Sequence, residues 1–120
     1  MPGDAGIWPH ELATARALAK AGYIVEFVRT SNRDREHSAD AYVDGELWEF
    51  KAPNGSRTYI IEKRLREGVK QSSSIVFDSR RMKSLPDDAI QRELVACLKR
   101  INALCRLKFI DRHGRVVDIK

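Results

Sequence analysis

Ser38-Ala39-Asp40-Ala41-Tyr42-Val43-Asp44-Gly45-Glu46-Leu47-Trp48-Glu49-Phe50-Lys51-Ala52-Pro53 reads as two strands joined by a two-residue turn. Asp44-Gly45 supplies that turn, because a type I′ reversal needs φ > 0 at both central residues. Val43 then faces Glu46, Tyr42 faces Leu47, Ala41 faces Trp48 and Asp40 faces Glu49. Side chains alternate along a strand. Ala39, Ala41, Val43, Trp48 and Phe50 therefore share one apolar face. The other carries Asp40, Glu49 and Lys51, with Ser38 at its edge. A slip of one residue would scatter both sets.

Two carboxylates placed across a strand pair repel each other and stabilise nothing. Compensation comes from a bound cation, from an ammonium such as Lys51, or from a proton held at raised pKa. Each of these describes a site. The plain alternative is a solvated face, although such faces normally mix signs across the ladder.

Ahead of the hairpin, Trp8-Pro9-His10-Glu11 opens a helix, with Pro9 suited to its first position and Gly22 to its C′ end. Glu11, Leu12, Ala15, Leu18 and Ala19 form the expected packing stripe. Glu11 is favoured by the helix dipole whether or not it has chemistry to do. His10 reads equally as a polar residue at a helix start. Tyr23 to Val28 is a strand by composition, and Arg29 to His37, with Arg33 and Arg35, is a polar loop. Residues 1–7 are expected to be a tail and residues 8–120 a single domain.

Beyond the hairpin, Thr58 to Gln71 reads as a helix striped by Ile61, Leu65 and Val69, with Lys63, Arg64, Arg66 and Lys70 making it basic. Such a helix beside an acidic face could hold a nucleic-acid backbone, or simply be soluble. Ser74 to Asp78 is a short buried strand, and Arg80 and Arg81 leave it at the C-terminal end where α/β sites lie. Ser84-Leu85-Pro86-Asp87 resembles a capping box. The next helix repeats Ile90, Leu94, Cys97, Leu98, Ile101 and Leu104, which is core. Leu107–Ile110 and Val116–Ile119 make a terminal hairpin with His113 exposed at its tip. The fold class is α+β: one domain with an αβββαβ core, a central mixed sheet flanked by helices, then a further helix and a C-terminal hairpin.

The 120 residues are enough for a core without staples. A net charge of +5 suits a polyanionic partner without requiring one. No apolar run approaches the ~18 residues of a membrane span, and Met1-Pro2-Gly3-Asp4 does not begin like a signal peptide. Cys97 and Cys105 lack metal-ligand spacing and read as two buried thiols in a reducing compartment.

The order of elements, with an acid on the first helix, another on the second strand and Glu-x-Lys on the third, resembles the PD-(D/E)xK nuclease core. That resemblance implies Glu11, Asp40, Glu49, Lys51 and Gln71 as site positions. Asp40 and Glu49 would hold Mg²⁺, with Ala39 standing where the motif has Pro. A longer likeness, from about His10 to Ile119, is carried by Trp48-Glu49-Phe50-Lys51-Ala52-Pro53, Thr58-Tyr59-Ile60 and Gln71 to Arg81. It resembles the C-terminal tRNA nuclease domain of contact-dependent growth-inhibition (CdiA-type) toxins and their stand-alone relatives. This second resemblance implies a ribonuclease acting on tRNA in the cytoplasm with no cofactor, through attack of an RNA 2′-OH on its own phosphate. Lys51 would stabilise the phosphorane, Asp40 or Glu49 would manage the proton, and His10 would be the histidine of the site. Thr58, Arg64, Lys70, Gln71, Arg80 and Arg81 are the expected nucleic-acid contacts. An immunity protein is the implied partner. The alternatives are a metal-dependent DNA nuclease and a binding module without catalysis.

Overall fold

The computed structural model describes residues 8–28 and 39–120. The expected tail, the polar loop of Arg33 and Arg35, and Ser38 lie outside them. The hairpin forms in the expected register: Val43↔Glu46, Tyr42↔Leu47 and Ala41↔Trp48. Asp44 and Gly45 take φ of 51° and 85°, as a type I′ turn demands. Here β2 is Ala41–Val43 and β3 is Glu46–Lys51.

The remaining strands continue outward from this pair. On one side β1 (Val25–Phe27) runs antiparallel to β2. On the other, α2 (Tyr59–Gly68) returns the chain to β4 (Ser74–Asp78), parallel to β3. Next, α3 (Asp87–Arg100) leads to β5 (Arg106–Ile110), parallel to β4, and β6 (Val116–Asp118) closes an antiparallel edge. The result is a six-stranded mixed sheet whose spatial order is its chain order.

Both crossovers put their helices on one face, as right-handed connections do. There Ile61, Leu65, Ile90, Leu94 and Cys97 pack on Ile75, Phe77, Leu107 and Phe109. The opposite face takes α1 (Pro9–Lys20), whose Ala15, Ala17 and Leu18 cover Ala41, Val43, Trp48 and Phe50. At the end of α1 the Gly22 amide donates to Ala19 (3.0 Å) and the Tyr23 amide to Leu18 (3.0 Å). This paired closure uses the φ of 104° that Gly22 tolerates.

Four expectations shift. The α1 stripe is rotated: Thr14 is buried and Ala19 is exposed, because Thr14 is drawn inward by a hydrogen bond to Asp78. The second helix stops at Gly68, and separate turns carry the chain through Gln71. Pro86, not Ser84, takes the N-cap position of α3, without a side-chain cap; the Asp87 carboxylate instead accepts the Arg112 amide at 3.0 Å. Cys97 is buried as expected, but Cys105, past the end of α3, is exposed.

Candidate active site

The parallel strands β3 and β4 end side by side, with Lys51 opposite Phe77. Alternation puts Glu49 and Lys51 on the face covered by α2. That helix approaches through Gly68, where a Cβ would lie 2.8 Å from Ile75 Cδ1, 3.3 Å from Lys51 Cε and 3.4 Å from Glu49 Cγ. The bare backbone lets α2 settle on Glu49 and exclude water from it. Glu49 is only 7% exposed.

Burial has an electrostatic consequence. It disfavours the charged carboxylate, the Asp40 charge adds to the effect, and Lys51 opposes it, so the Glu49 pKa rises to about 8. Glu49 Oε2 lies 3.5 Å from Lys51 Nζ. Its other oxygen, Oε1, is buried and accepts from no donor among the described residues, while a hydrogen bond with the Asp40 carboxyl adds to the rise in pKa. Asp40 is fixed from the other direction, because its Oδ2 accepts the Phe50 amide at 2.8 Å.

The N-terminus of α1 reaches the same neighbourhood. The His10 pKa is lowered, first by burial and next by the positive Arg81, against the opposing pull of Asp40 and Asp78. Asp40 is thus the common electrostatic neighbour of His10 and Glu49. Arg81 is held by an Nη1 donation to the Ala52 carbonyl at 2.7 Å.

A buried bracket anchors α1 there. Thr14 Oγ1 donates to Asp78 Oδ2 at 2.8 Å and lies 3.0 Å from the His10 carbonyl oxygen. Asp78, at the end of β4, also receives Arg80 Nε (2.9 Å) and Nη2 (2.6 Å). Arg80 Nη2 in turn donates to the Ala13 carbonyl at 3.0 Å. Thr14, Asp78 and Gly68 were not among the expected site residues. An acid closing a wholly buried strand was the signal for Asp78; the other two carried none, since contact makes them matter.

The remaining expected residues are placed as follows. Glu11 Oε1 accepts the Trp8 amide at 3.1 Å, an N-terminal capping role. Thr58 is exposed at the N-cap of α2. Arg64 pairs with Glu67 at 2.7 Å, Lys70 is exposed, and Gln71 is half-buried in the turns after α2.

An oxygen-only pair with one buried, unsatisfied oxygen fits a hard divalent cation, so Asp40 and Glu49 could hold Mg²⁺. A second acidic group, Glu62 and Glu93 beside Cys97, already surrounds the Arg100 guanidinium, at 3.0 and 2.6 Å respectively. No helix among the described residues is long and apolar enough to cross a membrane.

Residues 37–116 match the family model of the contact-dependent growth inhibition CdiA C-terminal domain. The chain belongs to that family. The fold agrees with a solved structure, a CdiA-CT/CdiI toxin and immunity complex from Burkholderia pseudomallei. That likeness has a TM-score of 0.67 and 25% identity, and covers 89% of this chain and 79% of the other. No curated protein matched the sequence. A CdiA C-terminal toxin domain fits a toxin-type nuclease in general terms, and the matched segment includes Asp40, Glu49, Lys51, Asp78 and Arg81.

Proposed function

We propose that this CdiA C-terminal domain is a toxin ribonuclease that cleaves RNA, with tRNA as the expected substrate, at the site of Asp40, Glu49, Lys51 and His10. The observation that carries the reading is the buried Glu49 carboxyl 3.5 Å from Lys51 Nζ, its pKa raised by that burial while the His10 pKa is lowered. Pairs of groups whose environments drive their pKa values apart divide the acid and base roles.

In this reading neutral His10 accepts the proton of the 2′-OH as its oxygen forms a bond to phosphorus. Lys51 Nζ stabilises the added negative charge of the phosphorane. Glu49 gives its proton to the departing 5′ oxygen as the P–O5′ bond breaks. Asp40 favours the imidazolium formed on His10. Arg81 faces the same space and suits a non-bridging phosphate oxygen.

The unpartnered Glu49 Oε1 favours a second reading, a PD-(D/E)xK-like nuclease in which Asp40 and Glu49 hold Mg²⁺. A cation there would offset the carboxylate repulsion and supply charge stabilisation at a phosphate. Lys51 would then orient the attacking water. Incubation of tRNA and of plasmid, each with Mg²⁺ and with EDTA, separates the readings. RNA cleavage that persists in EDTA supports the ribonuclease, and plasmid cleavage only with Mg²⁺ supports the second. Binding without cleavage in any tube supports a module without catalysis.

The Burkholderia pseudomallei relative was solved as a toxin and immunity complex, which supports a cognate immunity protein as this domain's partner. A cytoplasmic RNA target makes the cytoplasm the proposed site of action.

A further inference from the structure

Beside the catalytic groups, a groove of about 680 Å³ runs between α1 and the β5–β6 turn. Its apolar floor comes from alanines of α1 and Val116, and its polar lining includes Arg16, Lys20, Arg80 and Arg115. Among the described residues no acidic one lines it. Arg80 is neutralised by Asp78 and Arg115 by Asp111. Arg16 and Lys20 make no ion pair with the described residues and are exposed.

The groove is continuous with the site through Arg80, whose guanidinium joins Asp78 to the Ala13 carbonyl. The axis of α1 sets its direction. At 1.5 Å per residue, Lys20 lies about 15 Å along the helix from His10. Arg16 and Lys20 are one turn apart, about 6 Å at Cβ, which matches the interval between successive phosphates of an extended strand. The volume is that of a small-ligand pocket, roughly 300–1,000 Å³, a size that suits a few nucleotides of one strand. An apolar floor under a cationic rim suits bases below and phosphates above.

We infer that this groove holds a single-stranded stretch of RNA next to the scissile bond, with Arg16 and Lys20 each contacting a phosphate. The inference rests on the ribonuclease reading for its RNA ligand and extends that reading to a path for the strand.

The test is fluorescence anisotropy of a short fluorescein-labelled single-stranded RNA across a salt series, on a Lys51→Ala background that does not cleave. Arg16→Ala with Lys20→Ala removes two phosphate contacts, so the log–log salt slope should fall by about 1.4 for a single strand. The pair Arg92→Ala with Lys99→Ala removes the same charge from exposed positions on α3, across the sheet, and should leave the slope unchanged. With Lys51 restored, Arg16→Ala/Lys20→Ala should raise the KM for RNA about tenfold at constant kcat. Arg16→Lys should retain binding. An unchanged slope in Arg16→Ala/Lys20→Ala, or an equal loss in both pairs, would overturn the inference. So would tighter binding of a labelled duplex than of the single strand. Tighter binding of polyglutamate than of RNA would overturn it too, and would assign the groove to an acidic protein. Failure of the ribonuclease reading looks different: wild-type protein that cleaves no RNA, with the slope loss at Arg16 and Lys20 intact.

Discussion

Glu49 is buried with one oxygen 3.5 Å from the Lys51 ammonium, while a hydrogen bond with the Asp40 carboxyl helps it keep its proton. A structural ion pair would satisfy both oxygens or leave them in water. The arrangement instead buries an acid between an ammonium and a second carboxyl, beneath a helix that approaches through a glycine. Such burial is costly in a fold and useful in a site.

Glu49 sets the sign of the pH dependence. If it acts as the acid, cleavage should fall as pH rises through about 8, where Glu49 loses its proton. The acid limb should lie below the ordinary histidine value, because the His10 pKa is lowered. A pH–rate profile of RNA cleavage in EDTA checks both limbs. A rate that climbs through that upper value would count against Glu49 as acid and for the cation reading.

Stability should follow the same group. Its folded pKa is raised, so the folded state binds the extra proton between the ordinary glutamate value and about 8, and stability falls as pH climbs through that window. Glu49→Gln removes the ionisation. Thermal melts across the window should fall for wild type and stay flatter for Glu49→Gln; parallel curves would contradict the assignment.

Lys51→Ala and Asp40→Asn should each lower cleavage by ~10²-fold or more. The Tm should change little for Lys51→Ala. For Asp40→Asn, the amide oxygen can still accept the Phe50 amide while the repulsion with Glu49 is relieved. Melting curves beside initial rates decide this. Wild-type activity in either variant would remove that residue from the mechanism.

Gly68→Ala places a methyl group against Ile75, Lys51 and Glu49 together. We expect a destabilisation of about 1–3 kcal/mol from overpacking and a loss of activity larger than the fraction unfolded explains. Chemical denaturation gives the first quantity and kcat of the folded protein the second.

Thr14→Val keeps the volume but removes the hydroxyl that donates to Asp78, leaving that buried carboxylate one donor short. The cost should be about 1–3 kcal/mol. Cleavage should also fall, because the same threonine holds the turn that carries His10. Thr14→Ser should rescue both; a rescue of stability alone would separate the bracket from the chemistry.

The sequence made the fold legible where local chemistry and periodicity agreed. Asp44-Gly45 set the hairpin register, and alternation from it put Glu49 and Lys51 on one face with Asp40 across the pair. The spacing of Ile90, Leu94 and Cys97 gave α3 its buried side. Thr14 was not singled out because a threonine on a helix carries no sign of an acid on a distant strand. Gly68 passed unnoticed inside the expected Thr58–Gln71 helix, since only the packed sheet shows what its missing side chain makes room for. The resemblance to CdiA C-terminal domains was carried by stretches that include Glu49, Lys51 and Arg81, whereas His10 and Asp40 lie outside them.

The Thr14–Asp78 bond joins residues 64 positions apart. Until the first helix docks, His10 is not delivered to the strand ends, so an extended chain carries the residues of the candidate site without bringing them together. Completion of the site is thus tied to a closure between distant parts of the chain, and a cut anywhere between Thr14 and Asp78 that frees α1 would dismantle it.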